Sequence, residues 1–262
     1  MTCHPTSMFS FLTLCIASAS LSACNAPSND GAESRVPVTS TADASLATDD
    51  IAYLTRLGLI RGHLRVGMAL YGKGMHEHAK GHMKHPADEL YAALTGAFEH
   101  RGSSGFAEEL ETLAALVQQD ADDAAVQRAY ATLLDRISAA ESRVDSSTPD
   151  NAATQGAVAV NLLDEAAREY RIGVVDGRIE EVHEYQDAYG FTRVAIDYSH
   201  RAKAANAPGE ALNEDVRKVE ELVRLWPELV PTSPVQGDAG RIEAVAEELA
   251  TDLQTAVSAA RR

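Results

Sequence analysis

Apolar residues recur every three or four positions through most of the chain after residue 48, and this period constrains the fold more than any other feature. The first such stripe follows the cap candidates Thr48 and Asp49 and ends before Gly72 and Gly74; its members are Leu54, Leu57, Leu64, Met68 and Tyr71. No alternating pattern of comparable length indicates β-strands. The chain is therefore predicted to be all-α.

Eight segments carry the helical pattern, and they predict an antiparallel bundle of about eight helices with short loops. A stretch over 145–151, rich in Ser, Thr, Pro, Asp and Asn, interrupts the pattern and is the strongest internal boundary. Either one long bundle or two four-helix units fits, the two units being 49–144 and 152–260. The predicted helices lie near 49–71, 75–100, 106–117, 126–144, 152–175, 179–205, 210–226 and 239–260.

The start of the chain resembles a bacterial export signal. Residues 1–23 contain no Lys, Arg, Asp or Glu, and an apolar run ends in small residues. The sequence Leu21-Ser22-Ala23-Cys24 resembles the lipobox of bacterial lipoproteins, in which the cysteine becomes the lipidated first residue; the alternative is a chance cysteine after an ordinary signal. The resemblance implies a signal peptide at 1–23 and lipidation at Cys24.

The same resemblance places the mature protein in the periplasm. Asn25, rather than Asp, follows the cysteine, which implies retention in the outer membrane. Residues 24–48 are rich in Ser, Thr, Ala, Pro and Asp without a periodic apolar pattern, so we expect a flexible tether there. Because Cys3 and Cys15 lie in the signal, the mature chain has no disulfide and no thiolate metal site.

The negative net charge of the chain limits the kinds of molecule that it is expected to bind. The chain has 23 basic and 39 acidic residues, a formal net charge of -16, so phosphate backbones and anionic lipids are repelled and cations are attracted. We expect no nucleic-acid partner and membrane attachment only through the lipid. Gly-x-Ser-x-Gly, His-Glu-x-x-His and phosphate-binding glycine motifs are absent from the sequence, so we do not expect an enzyme.

Histidines cluster in the first half of the chain. Six of the nine lie between residues 63 and 100, in the same window as the three methionines that follow the signal. Imidazole is the commonest protein ligand for transition metals, and thioethers add affinity for copper(I). Spacings of three, four and seven residues put several of these groups on one helix face. The preferred metal ligands are His63, His82, His85 and Glu89.

Other interpretations of these histidines remain open. His63 also fits a buried histidine bonded to a backbone carbonyl, and His76 and His78 fit a solvated surface. Pro86 is expected to begin a new helix with His85 as its cap residue, since proline disfavours helical backbone in the residue before it. In that geometry His85 points back along the chain.

A second group of chemically active side chains occupies the other half. Several acidic residues lie on the same face of one predicted helix as the apolar residues that follow them. Some of these acids should therefore face the interior, where a carboxylate needs a cation, a hydrogen bond or a proton. They form a possible second metal or acidic site, whose members are Glu169, Glu180, His183, Glu184 and Asp187. The alternative is a salt-bridged face that uses Arg168, Arg171, Arg178 and Arg193.

One segment of this half resembles a known family. Tyr170-Arg-Ile-Gly-Val-Val-Asp-Gly-Arg-Ile, followed by Glu184-Tyr185-Gln-Asp187-Ala-Tyr-Gly-Phe191, resembles the periplasmic helical extension of bacterial high-affinity iron permeases. The helical hairpin with His and Glu is more distantly similar to imelysin-like iron-uptake proteins, although His85-x-x-x-Glu89 departs from their His-x-x-Glu signature.

These resemblances imply that the protein handles a metal ion in the periplasm, for uptake, transfer or storage. Iron ranks ahead of copper and zinc because of the permease resemblance. A metal permease or an outer-membrane receptor is the implied partner. A non-catalytic scaffold or partner-binding lipoprotein is the first alternative, and an imelysin-like peptidase is the second.

Overall fold

The computed structural model describes residues 41–144, 151–205 and 210–260, and it confirms the all-α prediction. The predicted signal peptide (1–23), the predicted lipidation site Cys24 and residues 145–150 lie outside the described residues. The helices are α1 (Thr41–Thr48), α2 (Asp50–Tyr71), α3 (His76–His85), α4 (Thr95–Arg101), α5 (Ala107–Gln118), α6 (Asp123–Glu141), α7 (Asn151–Gly173), α8 (Val182–Ala205), α9 (Glu210–Glu221) and α10 (Ala239–Ala260).

Helix α2 begins where the sequence predicts. The Asp49 side chain accepts hydrogen bonds from the backbone N–H groups of Ile51 and Ala52, at 2.9 and 3.0 Å, and so caps the helix. Its apolar face, including Leu57 and Leu64, is completely buried. This helix contacts α3, α7 and α8 and lies at the centre of the core.

Residues 41–48 are helical, so the predicted tether is wrong for this segment. Leu46 of α1 is buried, and the Arg101 guanidinium lies 3.4 Å from its carbonyl oxygen. Arg101 also pairs with Asp50 at 2.5 Å, which holds α1 and α2 against the end of α4. Apolar contact and these polar contacts order a stretch whose composition resembles a linker.

A new helical element begins at Pro86 with His85 at its N-cap position, as predicted, but the backbone stays helical through this point. His85 has φ -48° and ψ -47° and makes no side-chain capping bond. A π-helical turn (Pro86–Tyr91) and a 3₁₀ turn (Ala92–Leu94) connect α3 to α4. Since proline has no N–H group to donate back along the helix, a local change of helical winding is expected there.

A short hairpin, β1 (Val174–Val175) and β2 (Arg178–Ile179), joins α7 to α8. Asp176 and Gly177 form its turn with φ of 52° and 75°, the left-handed region that two-residue hairpins favour. The ends of the flanking helices are close: a Cβ on Gly173 would lie 2.5 Å from the backbone nitrogen of Tyr185.

The described residues belong to one compact unit that begins at Thr39. Helices α7, α8, α9 and α10 pack side by side, and α2 packs against α7 and α8. Where α2 crosses α8, a Cβ on Gly190 would lie 2.8 Å from the carbonyl carbon of Gly62 and closer still to its oxygen. In the described part of the chain, no helix combines the length and the apolar character needed to cross a membrane.

Candidate metal site

The glycine contact between α2 and α8 determines which polar groups meet. Gly62 is followed directly by His63, and Gly190 lies three residues after Asp187. Because the two backbones touch at this crossing, His63 and Asp187 face each other in a nearly dry environment, with 8% and 5% of each residue exposed.

Helix α3 approaches α8 at a second glycine. A Cβ on Gly81 would overlap the imidazole of His183, so only glycine fits at this position. The close approach brings His82 and His85 to the side of α8 that carries Asp187. The His82 and His183 rings stack with centroids 4.2 Å apart and an interplanar angle of 23°.

Three side chains converge at this meeting of helices. His63, His85 and Asp187 each offer one ligand atom, and these atoms all lie within 4.8 Å of one another. Ligand bonds of about 2.0–2.2 Å place the ligand atoms of one ion about 3–4 Å apart, so small side-chain movements would close the site. The His85 side chain is 37% exposed, and it gives the site its contact with solvent.

His63 presents a nitrogen without a hydrogen bond. Its Nδ1 lies 2.7 Å from Asp187 Oδ1, but the alignment is poor, and this buried atom has no hydrogen-bond partner. A buried histidine with a purely structural role is normally bonded. The sequence-based alternative, a bond from His63 to a backbone carbonyl, is not what the structure shows at Nδ1.

His82 supports the site in a different way. Its Nδ1 lies 2.9 Å from Asp187 Oδ1 and its Nε2 lies 2.8 Å from Gln186 Oε1. Gln186 Nε2 donates to the carbonyl of Leu229 at 2.9 Å, which fixes the orientation of the amide. Both nitrogens of His82 are thus engaged with side-chain oxygens, so neither is free to bind a metal in this arrangement.

The surrounding histidines stabilise the charged form of Asp187. Burial alone would raise the pKa of this carboxyl group, but contacts with His63 and His82 lower it well below its usual range. Asp187 therefore carries a negative charge inside the protein, as a metal-binding carboxylate must.

Glu89 lies at the edge of the site. Its side chain is 64% exposed, and its Oε1 is 3.9 Å from His85 Nε2. The π-helical turn after His85 holds more residues per turn than an α-helix, so Glu89 is rotated away from the face that a regular helix would give it. The structure thus groups two of the four preferred ligands, His63 and His85, with Asp187 from the predicted second site.

The other members of that second site lie in different surroundings. Glu180 is exposed and precedes α8. Glu184 is half-buried, and its Oε2 has no hydrogen-bond partner. Burial, together with the neighbouring His82, lowers the pKa of His183 to about 4 against the opposing effect of Asp187.

Two of the arginines proposed for a salt-bridged face pair elsewhere. Arg168 bonds to Glu165 at 2.5 Å within α7, and Arg171 bonds to Glu243 of α10. Asp187 is instead in contact with imidazoles.

Glu169 of α7 is the acid most affected by this cluster. Burial, together with the carboxylates of Glu165, Asp187 and Glu184, raises its pKa to about 7 against the opposing charge of Arg168. Carboxyl groups thus accumulate around Asp187, and their charges oppose the ionisation of Glu169.

Replacing Glu169 with glutamine tests this accumulation. A raised folded-state pKa means that the folded chain binds more protons than the unfolded chain between the ordinary value of 4.5 and about 7, so the stability of the wild type falls as pH rises through this window. In metal-free buffer we expect the variant to be more stable than the wild type above pH 7 and equal to it below 4.5. Urea unfolding across the window measures the difference, and a gain that is constant with pH would contradict the assignment.

Comparison with known proteins identifies one part of the chain. Residues 146–260 match the model of the iron permease-associated 4-helix bundle domain, which confirms the resemblance to the iron permease extension for this segment. The match spans α7 to α10 and includes Asp187, while His63 and His85 lie before it. No curated protein and no solved structure matches the chain.

Proposed function

We propose that this protein is a periplasmic lipoprotein, anchored through Cys24, that binds a transition-metal ion at His63, His85 and Asp187 and delivers it to an iron permease. Iron is the preferred ion. The protein acts as a carrier or store and catalyses no reaction.

The convergence of His63, His85 and Asp187 carries this proposal. Three different helices, α2, α3 and α8, each contribute one ligand atom within 4.8 Å of the others. The Nδ1 of His63 adds a second reason, because it lies 2.7 Å from Asp187 Oδ1 without a well-aligned hydrogen bond, and an ion bound between the two atoms would satisfy both.

The ligand types favour iron. Two imidazoles and one carboxylate form a common ligand set for iron(II), with the remaining coordination positions open to water or to a ligand from a partner. Zinc accepts the same ligands. Copper(I) prefers sulfur, and the three converging side chains include no thioether, so copper ranks lower.

The position of the site supports delivery to a permease. Asp187 belongs to the segment that matches the permease-associated domain, whereas both histidines precede that segment. The partly exposed His85 is the ligand that a partner could reach from solvent. A site with one accessible ligand can release its ion by exchange with the ligands of a transporter.

Calorimetric titration of ferrous iron under anaerobic conditions, and of zinc, tests the proposal. We expect one ion per wild-type chain and, in His85→Ala, an affinity at least about tenfold lower, since loss of even a supporting residue at a metal site costs 10- to 100-fold. His100→Ala, which removes an exposed histidine of α4, is the matched control and should bind as the wild type does. Affinity should also fall as pH is lowered through the range in which imidazoles gain a proton, because only the unprotonated form binds metal. Equal binding by wild type and His85→Ala would leave the protein as a non-catalytic scaffold.

A further inference from the structure

Helices α9 and α10 bring two carboxylates together at a distance from the histidine cluster. Lys218 of α9 pairs with Glu248 of α10 at 2.8 Å. Asp215 lies about one turn before Lys218, and Asp252 lies about one turn after Glu248. Because the helices run in opposite directions, these two positions face each other. Asp252 is close enough to Asp215 to raise the pKa of its carboxyl group.

Asp215 is buried without a partner. Only 1% of the residue is exposed, and neither carboxylate oxygen has a hydrogen-bond donor. The nearest ammonium group, that of Lys218, is bonded to Glu248. Burying a carboxylate without compensation is strongly unfavourable, so the position calls for a cation or a proton.

The raised pKa of Asp215 agrees with a cation site at this position. Burial raises the pKa of Asp215 to about 6, and the carboxylates of Asp252 and Glu248 oppose its ionisation while Lys218 favours it. At neutral pH most of this buried group is therefore ionised. A chain with a formal net charge of -16 provides a field that attracts cations to it.

We propose that a hard divalent cation of the calcium class binds between α9 and α10, with Asp215 and Asp252 as its carboxylate ligands. The available donors are oxygens, which suits calcium or magnesium and does not suit copper. A solvent-open groove next to Asp252, lined also by Glu248, Thr251 and the Lys218 that pairs with Glu248, can supply the water ligands that calcium accepts in irregular geometry.

This cation would have a structural role. It would join α9 to α10 at a point where two carboxylates otherwise repel each other. The site uses no residue of the His63, His85 and Asp187 cluster, so it does not depend on the function proposed above.

Calcium titration of the full mature chain tests the site. We expect calcium to bind with a dissociation constant on the order of 10⁻⁴–10⁻³ M, as in other extracellular modules, and to raise the midpoint of thermal unfolding. Asp215→Asn should lose both effects, even if this variant is more stable than the wild type without calcium. Glu221→Gln removes one exposed charge from the same helix and is the matched control; it should retain both effects.

Two further measurements distinguish a calcium site from the histidine cluster and from a shared proton. His85→Ala should keep the calcium response, because the histidine cluster is not involved. If Asp215 and Asp252 instead share a proton, calcium will have no effect on the wild type, and its stability will rise as pH falls through about 6 equally with and without calcium. That outcome, or an equal calcium response in Asp215→Asn, would overturn the proposal.

Discussion

Asp187→Asn is expected to abolish metal binding and to lower the free energy of unfolding by about 3 kcal/mol. The substitution preserves the shape of the side chain but removes its negative charge. In the wild type, Asp187 Oδ1 lies 2.9 Å from His82 Nδ1 and 2.7 Å from His63 Nδ1. Breaking a buried ion pair by removing one partner leaves the other uncompensated, which is the costly case. Urea unfolding in metal-free buffer gives the free energy, and calorimetry with ferrous iron gives the affinity.

Asp197→Asn is the matched control for this experiment. Asp197 lies on the same helix and pairs with Arg65 at 2.6 Å, but its side chain is 42% exposed. Exposed ion pairs contribute about 0–1 kcal/mol, so this variant should bind metal normally and lose little stability. If the two variants behave alike, Asp187 is neither a metal ligand nor the centre of a buried network.

Gly190→Ala is expected to destabilise the protein by about 1–3 kcal/mol or more, and to weaken metal binding. The added methyl group would meet the carbonyl group of Gly62, which is backbone and cannot rotate away. Helices α2 and α8 must then separate, which increases the distance between His63 and Asp187. Chemical denaturation and metal titration of the same sample report both effects.

Gly96→Ala provides the comparison for glycine replacement in a helix. No atom lies within 4 Å of a Cβ built at this position in α4. Alanine should therefore stabilise the protein by roughly 0.5–1 kcal/mol through the lower entropy of its unfolded chain. A similar gain in Gly190→Ala would show that α2 and α8 do not need their close contact.

The fold follows from local signals that the sequence displays directly. The cap at Asp49 and the apolar stripe of α2 each involve residues within a few turns of one another, and the structure confirms both. The helical order of residues 41–48 could not be predicted in the same way. It depends on Arg101, which is more than fifty residues away, and on burial of Leu46.

Only some residues of the candidate site can be predicted from the sequence, because the pairing of helices determines which side chains meet. His63 and His85 stand out through clustering, but Asp187 joins them only because α2 and α8 touch at Gly62 and Gly190. The sequence signal for this contact is a glycine close to each of the two residues, Gly62 beside His63 and Gly190 three residues after Asp187. The spacing from His85 predicts Glu89 as a metal ligand, but the π-helical turn that contains Glu89 gives its side chain a different direction from that in a regular α-helix.

Some polar residues gave no sequence signal at all. Gln186 resembles any surface glutamine in an amphipathic helix, yet it is completely buried between His82 and the carbonyl of Leu229. Asp215 likewise lies in a strongly charged segment, and only the packing of α10 against α9 buries it. Both roles arise from contacts between segments distant in sequence.

The hairpin between α7 and α8 fixes the register of α8, so the site is sensitive to insertions as well as to substitutions. Its two-residue turn and the contact of Gly173 with Tyr185 set where α8 starts. One extra residue between Tyr185 and Asp187 would turn the carboxylate by about 100° around the helix axis and direct it away from His63. Lineages of this protein should therefore tolerate many side-chain changes on the outer face of α8 while keeping the number of residues from Gly173 to Asp187 constant.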